Sequence, residues 1–157
     1  ELSDILAQMV GELSALHIFV YGGDMRRSTD AVAPASLGAR LTRDDAGGGY
    51  RVDHIYQSDP DSPRDMSPLA RFGVNVNEGD VIEGVNGVPT LSVADIGALL
   101  RDQADRQVLL RVKAKGGGDR EVVVTPISQG RENGLRYNEW EYTRRLAVET
   151  KSADHIG

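Results

Sequence analysis

A chain of 157 residues with 39% hydrophobic and 27% charged content is long enough for one folded domain with ornaments and too short for two full-sized ones. Its net charge of −6 argues against non-specific partnership with nucleic acid or an anionic membrane, both of which reward clustered Lys and Arg. The absence of cysteine excludes disulfides, thiol catalysis and thiolate-held metals.

Leu2, Ile5, Leu6, Met9, Val10 and Leu13 follow the i, i+3, i+4, i+7 spacing of one helical face, which gives out near Leu16 or His17. Such a bare stripe calls for a cover, whether a further domain, a neighbouring copy or a partner. The longest apolar run, Leu16 to Tyr21, is too short to span a bilayer, and no leader-like segment precedes it. The sequence opens without methionine inside a helical pattern and closes at Asp154 to Gly157 as if approaching a strand, so a piece of a longer protein is expected. Asp24 to Ser36 lacks apolar periodicity and reads as a connection, with Arg26 and Arg27 solvated.

From Leu37 to Thr42, Gly38 lets backbone amides turn toward a ligand, and Ala39 and Leu41 share one face of a strand with an open edge. Tyr50 to Tyr56 alternates as a second strand, on which His54 is taken as structural or solvated because no partner carboxylate is evident. Asp59, Asp61 and Asp65 are interrupted by prolines that break calcium-loop spacing, so no metal site is expected there. Ser67 caps and Pro68 opens a short helix that ends at Gly73. Gly79-Asp80 is a turn, Val81 to Val85 a strand, and Asn86-Gly87 a pair that tolerates positive φ.

A helix is then expected, capped by Ser92 and Asp95, with Val93, Ile96, Leu99 and Leu100 on its apolar side and Gly97 weakening it. Gln107 to Val112 and Glu121 to Thr125 are valine-rich strands joined by Gly116-Gly117-Gly118-Asp119. That run and Gly47-Gly48-Gly49 lack the lysine and hydroxyl of a phosphate loop and are read as hairpin turns. Gly130 to Gly134 reads as a polar connector before a helix from Tyr137 to about Val148, with Tyr137, Trp140, Arg144 and Val148 on one face.

The stretch SPLARFGVNVNEGDVIEGVNGVP, Ser67 to Pro89, resembles the middle of a PDZ domain in the strand order of bacterial processing proteases. Leu37-Gly38-Ala39 resembles its carboxylate-binding loop, and Arg120 to Ile127 its last strand. The order of helix, PDZ domain and tryptophan-bearing helix is similar to part of a tricorn-type serine protease, a relative of the C-terminal processing peptidases.

The fold this implies is mainly β with helices: a PDZ-like, partly open β-barrel or sandwich of five to six strands with two helices, flanked by an N-terminal and a C-terminal helix. Residues 1–23 are the helical end of a preceding domain, 24–35 a linker, 36–128 the PDZ-like domain and 129–157 an exit helix leading into a catalytic domain. A terminal carboxylate would sit on the Leu37, Gly38 and Ala39 amides, and an extended peptide would lie between Leu41 and a wall made by Val93, Ile96 and Leu100.

The segment GELSALHIFVYGGD is similar to the one that carries the family's catalytic histidine, which implies that His17 is the general base. The family's serine before that histidine, part of a Ser-His-Ser-Glu tetrad, is replaced here by Leu16, which cannot orient an imidazole by hydrogen bonding. The nucleophile and the acid are expected beyond Gly157, which would leave this chain inactive alone. The resemblance implies a homo-oligomeric parent that hydrolyses peptides or unfolded polypeptides without cofactor or metal. It implies a cytoplasmic protein; a bacterial periplasmic one is the other option. Two non-catalytic readings stand beside it: a PDZ adaptor for C-terminal tails, and a structural spacer whose groove is filled by its own residues.

Overall fold

A computed structural model describes residues 2–13, 32–62 and 65–152. The chain divides into two compact units, Glu1–Ala31 and Val32–Gly157. The first contains helix α1 (Leu2–Gly11), shorter than the apolar periodicity suggests, and none of its described residues is buried. Leu2, Ile5, Leu6 and Met9 lie open along its length. No helix among the described residues is long and apolar enough to cross a membrane.

Among its described residues the second unit holds eight short strands and one long helix. Strands β1 (Ala35–Ser36), β2 (Ala39–Asp44), β3 (Gly49–Ile55), β4 (Val81–Val85), β5 (Val88–Pro89), β6 (Val108–Lys113), β7 (Asp119–Val124) and β8 (Ile127–Ser128) precede helix α2 (Gln129–Ser152). The main sheet runs β2-β3-β4-β6-β7 with β5 on β4, while β1 and β8 pair separately, and every pairing is antiparallel. The path ends at β2 and β7, so the sheet is mainly β architecture left open rather than closed into a barrel.

Period-two patterning decides which face is inside. On β6, Val108, Leu110 and Val112 are buried while Leu109, Arg111 and Lys113 point outward. They meet Val52, Ile82, Val85 and Val124 from neighbouring strands, and Leu37, Leu69, Val74, Ile96 and Leu100 from the covering loops. Asn86 and Gly87 both have positive φ, at 50° and 80°, as a tight hairpin requires. The Asn86 side chain also accepts a hydrogen bond from the Leu109 amide at 2.9 Å, tying that turn to β6.

Two further helices differ from expectation. After Gly87 the chain forms two three-ten turns, Thr90–Ser92 and Ile96–Ala98, instead of one helix. Ser92 Oγ donates back to the Pro89 carbonyl at 2.6 Å, and Val93 turns extended at φ −118° and ψ 160°, which ends the first turn. Asp95 then accepts from the Gly97 amide at 2.7 Å and starts the second. Asp95 does cap as expected, but Ser92 serves to stop rather than to start.

Helix α2, by contrast, begins eight residues early, so the expected connector from Gly130 to Gly134 is helical. Each glycine costs about 1 kcal/mol there, and tertiary contact outweighs that cost. Ser128 Oγ accepts from the Arg131 amide at the helix start, Leu135 is buried, and Arg131 pairs with Asp105 at 3.1 Å. Tyr137 and Trp140 remain exposed as an aromatic pair with ring centroids 5.9 Å apart.

Candidate functional site

The expected peptide groove lies between β2 and the run Val93 to Leu100. At its mouth Gly38 has a φ of 71°, a conformation reserved for glycine in practice. A Cβ there would stand 2.6 Å from Pro68 Cδ and 2.7 Å from Ser67 Oγ. The short Ser67-Pro68-Leu69 turn is therefore pressed onto the loop. Ser67 is fully buried; its hydroxyl donates to the Gly38 carbonyl at 2.8 Å and accepts from the Leu69 amide at 3.3 Å. The Tyr56 amide also donates to the Gly38 carbonyl, at 3.2 Å.

The Gly38 amide, which a terminal carboxylate would need, already donates to Ser36 Oγ at 2.9 Å. Leu37, Ile96 and Leu100 are buried in the core, while Ala39 and Leu41 are half-buried against it. Val93 is half-buried at the extended break between the two turns. Farther along β2, Arg43 reaches across and donates to the Val93 carbonyl at 3.1 Å and the Ala94 carbonyl at 3.4 Å. The Tyr50 hydroxyl accepts from the Ile96 amide at 3.3 Å, so β2 and β3 both pin the same turn.

Behind that turn runs the incoming chain. The Asp102 amide donates to the Ala33 carbonyl at 2.9 Å, and Asp102 Oδ1 accepts from the Ala33 amide at 3.4 Å. Ser36, Arg43 and Tyr50 carry no sequence signal of these roles, since the partners of the last two lie 46 to 51 positions away. His17 falls outside the described residues.

A second cluster joins the sheet to α2. His54 Nδ1 lies 2.7 Å from Glu78 Oε1, and Nε2 lies 2.7 Å from Glu139 Oε1. This corrects the expectation of a histidine without a carboxylate partner. Glu139 also accepts from the Gln57 amide at 2.8 Å, and Glu78 from the Ile55 amide at 3.1 Å. Farther along the helix, Arg145 pairs with Asp59, whose other oxygen takes the Asp61 amide. The Asp61 amide together with the Arg145 guanidinium holds the Asp59 carboxyl below its ordinary range. Asp59 is thus half of a clamp.

Residues 35–129 match the model of the tricorn protease PDZ domain. The chain belongs to that family. Tricorn protease homolog 1 of Streptomyces coelicolor is 36% identical across the whole chain, which covers 14% of that protein. A putative tricorn-like protease C-terminal subunit of Sulfurisphaera tokodaii is 31% identical, again across the whole chain and 17% of the relative. The crystal structure of the tricorn protease shares the fold at a TM-score of 0.67 and 24% identity, over 80% of this chain and 12% of that one. This tricorn PDZ chain therefore spans about a seventh of the length of its relatives.

Proposed function

We propose that this tricorn PDZ chain is the spacing segment of a larger serine-type peptidase. In that protein the sheet and α2 form one rigid unit, and the groove is held shut by its own residues. The observation that carries the spacer reading is the engagement of the groove's binding groups: the Gly38 amide on Ser36, and Arg43 on the Val93 and Ala94 carbonyls. A terminal carboxylate would have to displace a buried hydroxyl, and an added strand would have to displace a guanidinium. Titration of the chain with free C-terminal peptides, by calorimetry, should give no heat of binding. Saturable binding that disappears on amidating the peptide would replace the spacer by the substrate-handling or adaptor reading.

The peptidase part rests on similarity, across the whole of this chain and 14% to 17% of the relatives, to a tricorn protease homolog and a putative tricorn-like protease subunit. Peptide-bond hydrolysis of oligopeptides or unfolded chains, in a cytoplasmic homo-oligomer, goes with it. His17 is proposed as the general base that takes the serine proton and returns it to the leaving amine, with the nucleophile supplied from outside this chain. The chain alone then turns over nothing. In the full-length parent, a fluorophosphonate probe should label a serine, and His17→Ala should abolish that labelling. Equal labelling of both proteins would remove His17 from the chemistry, and labelling of neither would remove the serine mechanism.

A further inference from the structure

His54 is placed against two carboxylates at once, and proton counting makes that arrangement informative. A neutral imidazole has one N–H and one lone pair, whereas a carboxylate can only accept. With Glu78 at 2.7 Å from one nitrogen and Glu139 at 2.7 Å from the other, both contacts are hydrogen bonds only if both nitrogens carry protons or one carboxyl is protonated. The site therefore holds one proton more than a neutral histidine and two carboxylates would. Removing it leaves a lone pair facing an anionic oxygen.

We propose that the attachment of α2 to the sheet is proton-linked, with the His54 imidazolium as the pin between Glu78 on the sheet side and Glu139 on the helix. This goes beyond the spacer reading and holds whatever the parent protein hydrolyses. Other charged and aromatic groups surround the ring, with Glu132 acting on the adjoining Tyr56. Tyr56 meets it edge-on, with centroids 5.8 Å apart. Arg40 sits opposite it in register on β2, and Arg136 and Arg144 line the same open cleft as Trp140, about 360 Å³ in volume. Partial burial opposes the extra charge; the Glu139 and Glu78 carboxylates in direct contact outweigh it and raise the His54 pKa above its ordinary value.

The sign follows from that direction. A raised folded pKa contributes stability that is complete below the unfolded value of about 6.5 and is lost as pH rises through the folded value. Trp140, the only tryptophan in the chain, sits next in sequence to Glu139 and shares the cleft with His54, so its emission reports the event. In the 157-residue chain the emission should follow a one-proton transition centred above pH 6.5, and His54→Gln should flatten it. Glu139→Gln should move the transition to lower pH, because a side-chain amide can donate to a neutral ring nitrogen and no extra proton is then needed.

The same transition in His54→Gln, or an unmoved one in Glu139→Gln, would overturn the proposal. Should a variant fail to fold, the ring-proton NMR titration of His54 in the wild-type chain decides alone. A midpoint at or below 6.5 refutes the pin.

Discussion

Asp80→Asn is expected to remove about 2–4 kcal/mol of folding stability, read as a lowered urea midpoint. Asp80 is only 3% exposed, yet it is a carboxylate. Its Oδ1 accepts from the Lys115 amide at 2.9 Å, and its Oδ2 from the Asn77 amide at 3.0 Å and from Arg120 Nη2 at 2.5 Å. An asparagine offers one acceptor where two are needed, and turns an NH₂ group toward a donor. Arg120 would suffer too. Its Nε is buried without a hydrogen-bond partner, so its remaining contacts are Asp80 and the Asn75 carbonyl.

Removing one partner of a buried pair costs about 3–5 kcal/mol, and the partial exposure of Arg120 reduces that figure here. The pH dependence has a definite sign. Burial alone would raise the Asp80 pKa, but the Lys115 and Asn77 amides and Arg120 outweigh it and hold the carboxyl below its ordinary range. The contribution is therefore present above the unfolded value of about 4 and lost as pH falls through the folded value. A loss under 1 kcal/mol, or the same acid unfolding in the variant, would show that the network is not what holds the turn before β4.

Gly49→Ala should cost more than about 3 kcal/mol or prevent folding, whereas Gly116→Ala should be almost neutral. A Cβ at Gly49 would lie 2.2 Å from the Ile82 carbonyl oxygen, 2.8 Å from its carbon and 2.9 Å from Glu83 Cα. All three atoms are backbone of β4, so nothing can rotate away. Strand β3 pairs with β4 only through Tyr50 to Ile82 and Arg51 to Val81, the next two positions, so the clash would pry apart the centre of the sheet. At Gly116 a Cβ meets nothing within 4 Å. Paired thermal melts of the two variants test this, and equal shifts would disprove it.

Those two glycine runs also show where sequence reading stops. Both read as hairpin turns, and both are; that one glycine of the pair carries an inter-strand contact is set by β4, more than thirty positions away. What was legible came from local rules: the alternation of Val108, Leu110 and Val112, the positive φ at Asn86-Gly87, and the Ser67 cap. The break at Val93 and the early start of α2 were missed because side-chain capping and tertiary packing overrode helix propensity. At the candidate groove, the backbone freedom read at Gly38 matches its φ of 71°. The groups that engage its amide and the facing turn, Ser36 and Arg43, were not legible, because a serine or an arginine in a strand advertises no partner.

Helix α2 is gripped at Glu139 and again at Arg145. At 1.5 Å per residue these grips are about 9 Å apart along its axis. A rod held at one point is a pivot, but held at two it has a bearing. Displacing one grip by 1 Å would turn that stretch of the helix by about 6°, so beyond the buried Leu135 the direction of α2 is set by an imidazole and a guanidinium.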